Sequence, residues 1–277
     1  MTTARRGTST ALTIAGFDPS GGAGVLADVR TFAAFDMRAA AAITSVTFQN
    51  SRTFVGAIHQ TAAAVRAQIE SVLDEFKVVC AKTGMLPTRE IVTAVARLFR
   101  ETDLPAPVVD PVVVSSSGHL LMEPDALAAL QSELLPLARL VTPNIPEAEL
   151  LTGTTIRSEA HMRRAAAMIR GQGARAVLVK GGHLEQKPQG GRQVEEGRRH
   201  EAEGKQREAD KEAIDVLDDE GTVTVFRKAR IAGGGLHGSG CILSAAIAVG
   251  LGNGMTLEES VAAAKSFVLD QIRNSNS

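Results

Sequence analysis

Between positions 233 and 246 the chain reads GGGLHGSGCILSAA. Gly238, Ser239 and Gly240 let the backbone turn tightly and present successive N–H groups at the mouth of a small-residue helix. Those donors, with the positive end of the helix dipole, suit developing negative charge, as on a phosphate in transfer. Cys241 stands where a phosphoryl-transfer enzyme would want a base. A thiol with a pKa of about 8.5 is expected to fall toward neutrality at such a helix end. The plainer reading is a tight strand-to-helix turn with an inert buried thiol. GxxxxGK[ST] does not occur, which excludes a P-loop, and GSGCIL offers only the first half of a dinucleotide fingerprint, near the C-terminus.

Other chemistry-bearing residues stand at the ends of short apolar runs. Asp110 in PVVDPVV could position Mg²⁺ or its water, or could serve as a turn residue before Pro111. Asn144 and Glu147 in TPNIPEAEL have the spacing of a capping box, a structural role that competes with any role at a site. Lys180 in LVKGGH could meet phosphate oxygens or simply end a strand. Asp18 precedes the SGGAG loop, and Asp28 falls on the helix after it. Gln49 offers a donor and an acceptor side by side, which matches the edge of an amino-pyrimidine, or is an exposed strand-end amide. His237 could cap the anion turn or neighbour a phosphate; it lacks partners for a metal site.

Strands and helices must alternate to bring these residues together. ALTIAGF (11–17), AAAITSVTFQ (40–49), KVVCAKTG, APVVDPVVV, LVTPN and AVLVKGG read as strands, separated by amphipathic or Ala-rich helices. The alternation predicts a parallel sheet with helices on both faces and the functional residues along the rim at the strand C-terminal ends. One domain over 1–277 is expected, with a flexible N-terminus at 1–10. The segment 185–212 is about half charged and nearly free of apolar residues, and is expected to be a disordered insertion before a hairpin around AIDVLDDEGTVTVF.

Composition narrows the classes. Thirty Lys and Arg against 31 Asp and Glu leave a net charge of −1, which argues against a nucleic-acid partner. Two cysteines, Cys80 and Cys241, make neither a disulfide framework nor a metal cluster. No run approaches the roughly 20 apolar residues of a membrane span, and ALTIAGF is too short for a signal-peptide core. A soluble cytoplasmic enzyme is expected. Nine Phe, with no Trp or Tyr, leave the core to aliphatic residues and Ala.

The ordered set LTIAGFDPSGGAGVLADVRTFAAF, FQNS, KTGML, VVDPVV, LVTPNIPEAELLTG, VLVKGGHL and HGSGCILSAAIA resembles the ribokinase-like superfamily. Within it the chain is most similar to the bacterial hydroxymethylpyrimidine/phosphomethylpyrimidine kinases of thiamine biosynthesis, from about Leu12 to about Ala264. The resemblance implies an α/β fold, a ribokinase-like three-layer α/β/α sandwich with a central, mostly parallel sheet, in a homodimer. It implies ATP-dependent phosphorylation of 4-amino-5-hydroxymethyl-2-methylpyrimidine and then of its monophosphate, with Mg²⁺.

It maps pyrimidine contacts onto Gln49, Asp28, Gly16, Met85 and Val112, and the phosphate turn with its cysteine onto Gly238, Ser239, Gly240 and Cys241. Asp110, Asn144, Glu147 and Lys180 fall on the nucleotide side, with Asp110 and Glu147 toward the metal through water. Gly235, Leu236 and Ile242 depart from the family pattern around the turn, and Phe48 adds bulk beside Gln49. Two other readings compete: a pyridoxal kinase, which shares the cysteine turn, and a weakly catalytic pyrimidine-binding sensor.

Overall fold

The computed structural model describes residues 9–50, 53–115, 118–182, 212–229 and 237–275. Nine strands form one sheet in the order β3-β2-β1-β4-β5-β6-β7-β8-β9. The strands are β1 (Thr10–Phe17), β2 (Arg38–Gln49), β3 (Phe54–His59), β4 (Val78–Thr83), β5 (Val108–Val109), β6 (Leu140–Val141), β7 (Ala176–Lys180), β8 (Glu212–Asp219) and β9 (Thr222–Ala229). From β2 to β7 all neighbours are parallel. Antiparallel hairpins close both edges, β2 with β3 and β7 through β8 to β9. The three-layer α/β/α expectation therefore holds.

Helices α1 (Gly24–Ala34), α7 (Ser239–Gly252) and α8 (Leu257–Ser275) cover one face, where Phe32, Leu178, Leu243, Ile247 and Val261 form a core. Helices α2 (Ala62–Glu75), α3 (Arg89–Glu101), α4 (Pro124–Ala129), α5 (Ile145–Thr152) and α6 (Glu159–Arg170) cover the other, around Leu12, Ile69, Leu98, Leu134 and Ile169. Thr61, Thr88 and Ser158 cap α2, α3 and α6 with their hydroxyls, which satisfies N–H groups the helices leave open.

Some expected boundaries shift. Strands β5 and β6 are only two residues long. Pro111 and Pro143 follow closely, and a proline has no N–H to extend a ladder. Strand β3 has no forerunner in the sequence reading, because its apolar residues Val55 and Ile58 face outward, 81% and 61% exposed. Thr10 is buried in β1 rather than part of a flexible end. The charged 185–212 stretch lies outside the described residues, except Glu212, which opens β8.

The chain runs from β1 outward to β2 and β3, then returns to the other side of β1 with β4 and proceeds through β7. Strand order thus reverses between β1 and β4. In open α/β sheets the crevice outside such a reversal is where ligands bind.

Candidate active site

Successive side chains of a strand point to opposite faces. On the face under α7, the apolar residues Cys80, Val108, Leu140 and Leu178 pack into the core. Two residues further along each strand, at the rim, stand Lys82, Asp110, Thr142 and Lys180. The period of two converts four apolar anchors into a row of four polar groups beneath the N-terminus of α7.

The row is tied together by direct bonds. Lys180 Nζ donates to Asp110 Oδ1 at 3.0 Å, and Thr142 Oγ1 donates to the same oxygen at 3.1 Å. Ser244 of α7 donates to Asp110 Oδ2 at 3.4 Å. Asp110 is 2% exposed. Burial works against its charge, but the Lys180 and then the Lys82 ammonium outweigh it and hold the carboxyl below its ordinary range. Lys82 has no exposed surface and donates to both oxygens of Asp28, at 2.8 and 3.0 Å. Burial disfavours this ammonium too, yet Asp28 and, more weakly, Cys241 and Asp110 keep it charged. Asp28, equally buried, also accepts from Thr13 at 2.6 Å.

Helix α7 enters this row through the glycine turn. No side chain caps it, and its first internal bond runs from Ile242 N–H to the Gly238 carbonyl at 3.0 Å. The N–H groups of Ser239, Gly240 and Cys241 precede that bond. A Cβ on Gly240 would lie 3.2 Å from Lys180 Nζ and 3.8 Å from Asp110 Oδ2, so the turn sits directly on the pair. Gly238 has φ +78°, and a side chain there would overlap the Gly22 carbonyl. Only glycine permits both the left-handed backbone and this approach to the first loop.

That first loop is itself tied down. Asp18 accepts from Ser20 and from the Ala23 N–H, and its Oδ2 meets His237 Nε2 at 3.1 Å. Burial raises the Asp18 pKa, but these bonds outweigh it and hold the carboxyl below its usual value.

Cys241 behaves differently from the helix-end expectation. The residue is partly exposed toward the site, while its thiol is desolvated. Burial pushes the thiol up to about 11; Lys82 pulls it down, and Asp110 and Asp28 push it up again. The Gly24 N–H points at the sulfur. At neutral pH the sulfur is therefore protonated, which leaves the turn's N–H groups as the donors facing the row.

Asn144 and Glu147 form the capping box that competed as a reading of their spacing, with bonds of 2.9 and 2.8 Å in the two directions. Glu147 is nonetheless 4% exposed and faces Lys180 and Asp110. Burial drives its pKa up to about 7; Lys180 opposes that shift and Asp110 adds to it. The box thus holds, at the edge of the row, a carboxyl whose pKa burial raises.

Of the ring contacts, Gly16 and Met85 meet, since a Cβ on Gly16 would touch Met85 Sδ at 3.0 Å. Met85 also lines a cavity of about 250 Å³ with Phe54, His59, Leu121, Met122 and Glu123. Gln49 ends β2 opposite Phe54, and Val112 donates its N–H to the Asp110 carbonyl at 2.8 Å. Both lie on the rim but outside the bonded row. Asp28 is sealed against Lys82 and Thr13 instead of opening on the site, a departure from the ring contact the resemblance implied. Phe48 is 46% exposed and packs toward Gly56. A larger depression of about 460 Å³, beside Arg139, Asp219 and Glu258, lies at the opposite ends of the strands, and its arginine is already paired with Asp219.

Lys82, Thr142 and Ser244 were not singled out from sequence. For Lys82 the signal was available: a lysine inside the apolar run VVCAKTG is rare unless paired.

The family model described as "Phosphomethylpyrimidine kinase" matches residues 18–277. The chain belongs to this family. A hydroxymethylpyrimidine/phosphomethylpyrimidine kinase of Rhizobium meliloti is 43% identical over 262 residues, covering 94% of this chain and 89% of that protein. The crystal structure of phosphomethylpyrimidine kinase from Clostridium difficile 630 superposes with a TM-score of 0.78 at 32% identity, over 96% of this chain and all of that one. Staphylococcus aureus pyridoxal kinase in complex with AMP-PCP and pyridoxal gives a TM-score of 0.77 at 30% identity, over 95% of this chain and 87% of that one.

Proposed function

We propose that the chain transfers the γ-phosphoryl group of ATP to the hydroxymethyl oxygen of 4-amino-5-hydroxymethyl-2-methylpyrimidine, and then a second phosphoryl group to the resulting monophosphate. The carrying observation is the Lys180–Asp110 pair set directly beneath the Ser239–Gly240–Cys241 turn. In each step an oxygen–phosphorus bond forms as the bond to the ADP oxygen breaks; in the first the hydroxymethyl proton must leave, whereas the acceptor of the second is an already ionised phosphate oxygen. Phosphoryl transfer is largely dissociative, so positioning and charge stabilisation outweigh base strength. That suits a site whose thiol is held near 11 but whose turn presents N–H donors. Cys241 can accept the proton late in the step, once bound ligands alter the charge around it; the N–H groups require no such change. Lys180 is assigned to the phosphates of ATP, and Gln49, Gly16, Met85 and Val112 to the pyrimidine.

Among the described residues no group of three or more His, Cys, Asp or Glu forms a metal cage. Mg²⁺ does not need one, because it keeps several waters and binds through one or two carboxylates plus substrate phosphates. Asp110, charged and buried at the rim, and Glu147 beside it fit that requirement. When bound, the ion would neutralise charge on the phosphates. A homodimer and a cytoplasmic location belong to the same proposal; the open edge β3, with Val55 and Ile58 exposed, supports the first. No helix of the described residues is long and apolar enough to cross a membrane.

Pyridoxal is the second reading, favoured by the likeness to the Staphylococcus aureus enzyme. One mass-spectrometric competition separates the two. Protein, MgATP, hydroxymethylpyrimidine and pyridoxal are mixed, and each acceptor is checked for added phosphate. Mono- and diphosphorylated pyrimidine with untouched pyridoxal is the expected result. Phosphorylated pyridoxal would move the chain to the second reading, and pyrimidine binding without product would make it a sensor.

A further inference from the structure

A third ion pair continues the polar row beyond Lys180. Asp215 of β8 and Lys265 of α8 are each 8% exposed, and their carboxylate and ammonium are in direct contact. Asp215 is the residue paired with Lys180 in the β7–β8 ladder. At that point the next N–H, that of Gly181, donates to Asp215 Oδ1 at 2.9 Å. A side chain on Gly181 would overlap the Ile214 carbonyl and the Met162 methyl, so the backbone is held close to β8. On its other side, the Lys180 N–H donates to the Pro143 carbonyl at 2.8 Å. The residue that sends its ammonium to Asp110 is therefore gripped at its own N–H and at the next one.

Stability is a weak reason for this arrangement. Taking an ammonium and a carboxylate out of water costs so much that an apolar pair of similar size often serves as well. Lys265 also lies 5.8 Å from the Phe226 ring centroid, which flanks the ammonium without neutralising it. What an apolar pair could not supply is the acceptor for Gly181.

We infer that Asp215 is a positioning residue for Lys180: its carboxylate, which lies against the Lys265 ammonium of the C-terminal helix, accepts from Gly181 and so fixes the strand end that carries the phosphate-side lysine. This rests on the assignment of Lys180 to the phosphates of ATP. Neither residue touches the reacting groups.

Two double variants of the full chain isolate the idea. Asp215→Asn/Lys265→Met removes both charges but keeps an amide oxygen for the Gly181 N–H. Asp215→Leu/Lys265→Met removes both charges and the acceptor. Steady-state kinetics with ATP and pyrimidine varied separately are compared with Lys180→Met. The Leu/Met pair is expected to raise the KM for ATP about tenfold, the worth of a buried hydrogen bond to a charged acceptor, with the pyrimidine KM unchanged. The Asn/Met pair is expected to stay within about threefold of wild type.

Equal ATP KM values in the two double variants, or a parallel rise in both KM values, would overturn the inference. If Lys180→Met itself leaves the ATP KM unchanged, the assignment of Lys180 fails and the inference falls with it. If only Lys180→Met raises it, the assignment stands and the inference alone is lost. Should the Leu/Met pair not fold, Asp215→Ser/Lys265→Met makes the same comparison, since a serine hydroxyl is too short to reach the amide.

Discussion

Glu147→Gln should make the protein more stable and less active, and the gain in stability should depend on pH. Glutamine is accepted at the third position of a capping box, so the bond from the Asn144 N–H survives. What disappears is a buried charge. The folded carboxyl titrates at about 7 against an ordinary 4.5, chiefly because burial disfavours its ionised form. A group whose folded pKa is raised lends stability that is complete below the unfolded value and is lost as the pH climbs through the folded value. Each tenfold change in proton affinity is worth about 1.4 kcal/mol. The interval from 4.5 to about 7 thus costs the wild type about 3 kcal/mol by pH 8. Urea unfolding of both proteins at pH 5, 6, 7 and 8, extrapolated linearly to water, measures this. The variant's advantage should be small at pH 5, grow to about 3 kcal/mol and level off above pH 7. A gap that does not change with pH, or a variant less stable at pH 8 than the wild type, would refute the reasoning.

Lys82→Met leaves Asp28, whose pKa burial already raises, sealed from water without its partner. It should cost about 3–5 kcal/mol in denaturant unfolding, with much of that recovered in Lys82→Met/Asp28→Asn; a loss below about 1 kcal/mol would mean the pair is solvated. Gly238→Ala meets both a positive φ and the Gly22 carbonyl. It should lose at least about 1–3 kcal/mol of stability and raise the KM for ATP, so a variant with native kinetics would contradict the packing of the turn. Cys241→Ala should retain pyrimidine binding by calorimetry while kcat falls about 100-fold or more; near-native turnover would remove the thiol from the mechanism. Cys80 is 4% exposed and its thiol is pushed up to about 12, so iodoacetamide on the native protein should label Cys241 first by peptide mapping.

The parallel sheet and most of the rim are legible in the sequence, for a local reason. Asp110, Asn144, Lys180 and the glycine turn each follow an apolar run or open a helix, and strand direction then sends them to one edge. What escaped depends on partners distant in sequence. Lys82 and Asp28 are 54 residues apart, so neither predicts that the other will neutralise it. For the same reason Asp28 reads as a ring contact until the sheet closes over it. The helix dipole alone would lower the thiol, whereas burial and two nearby carboxylates push the other way. Strand β3 hid because its apolar residues point outward, against the inward pattern by which strands are recognised.

The union of the first loop with the last glycine turn has a consequence for biosynthesis. Asp18 and His237 are separated by 219 residues, and Gly22 meets Gly238 across nearly the same interval. At a ribosomal pace of about 5–20 residues per second, the loop waits roughly 10–40 s for its counterpart. A nascent chain can assemble β1, β2 and β4 and still lack a working phosphate seat. On the proposed function, catalysis is thereby withheld until synthesis has passed Gly238, and a truncated translation product ending before it is a silent one.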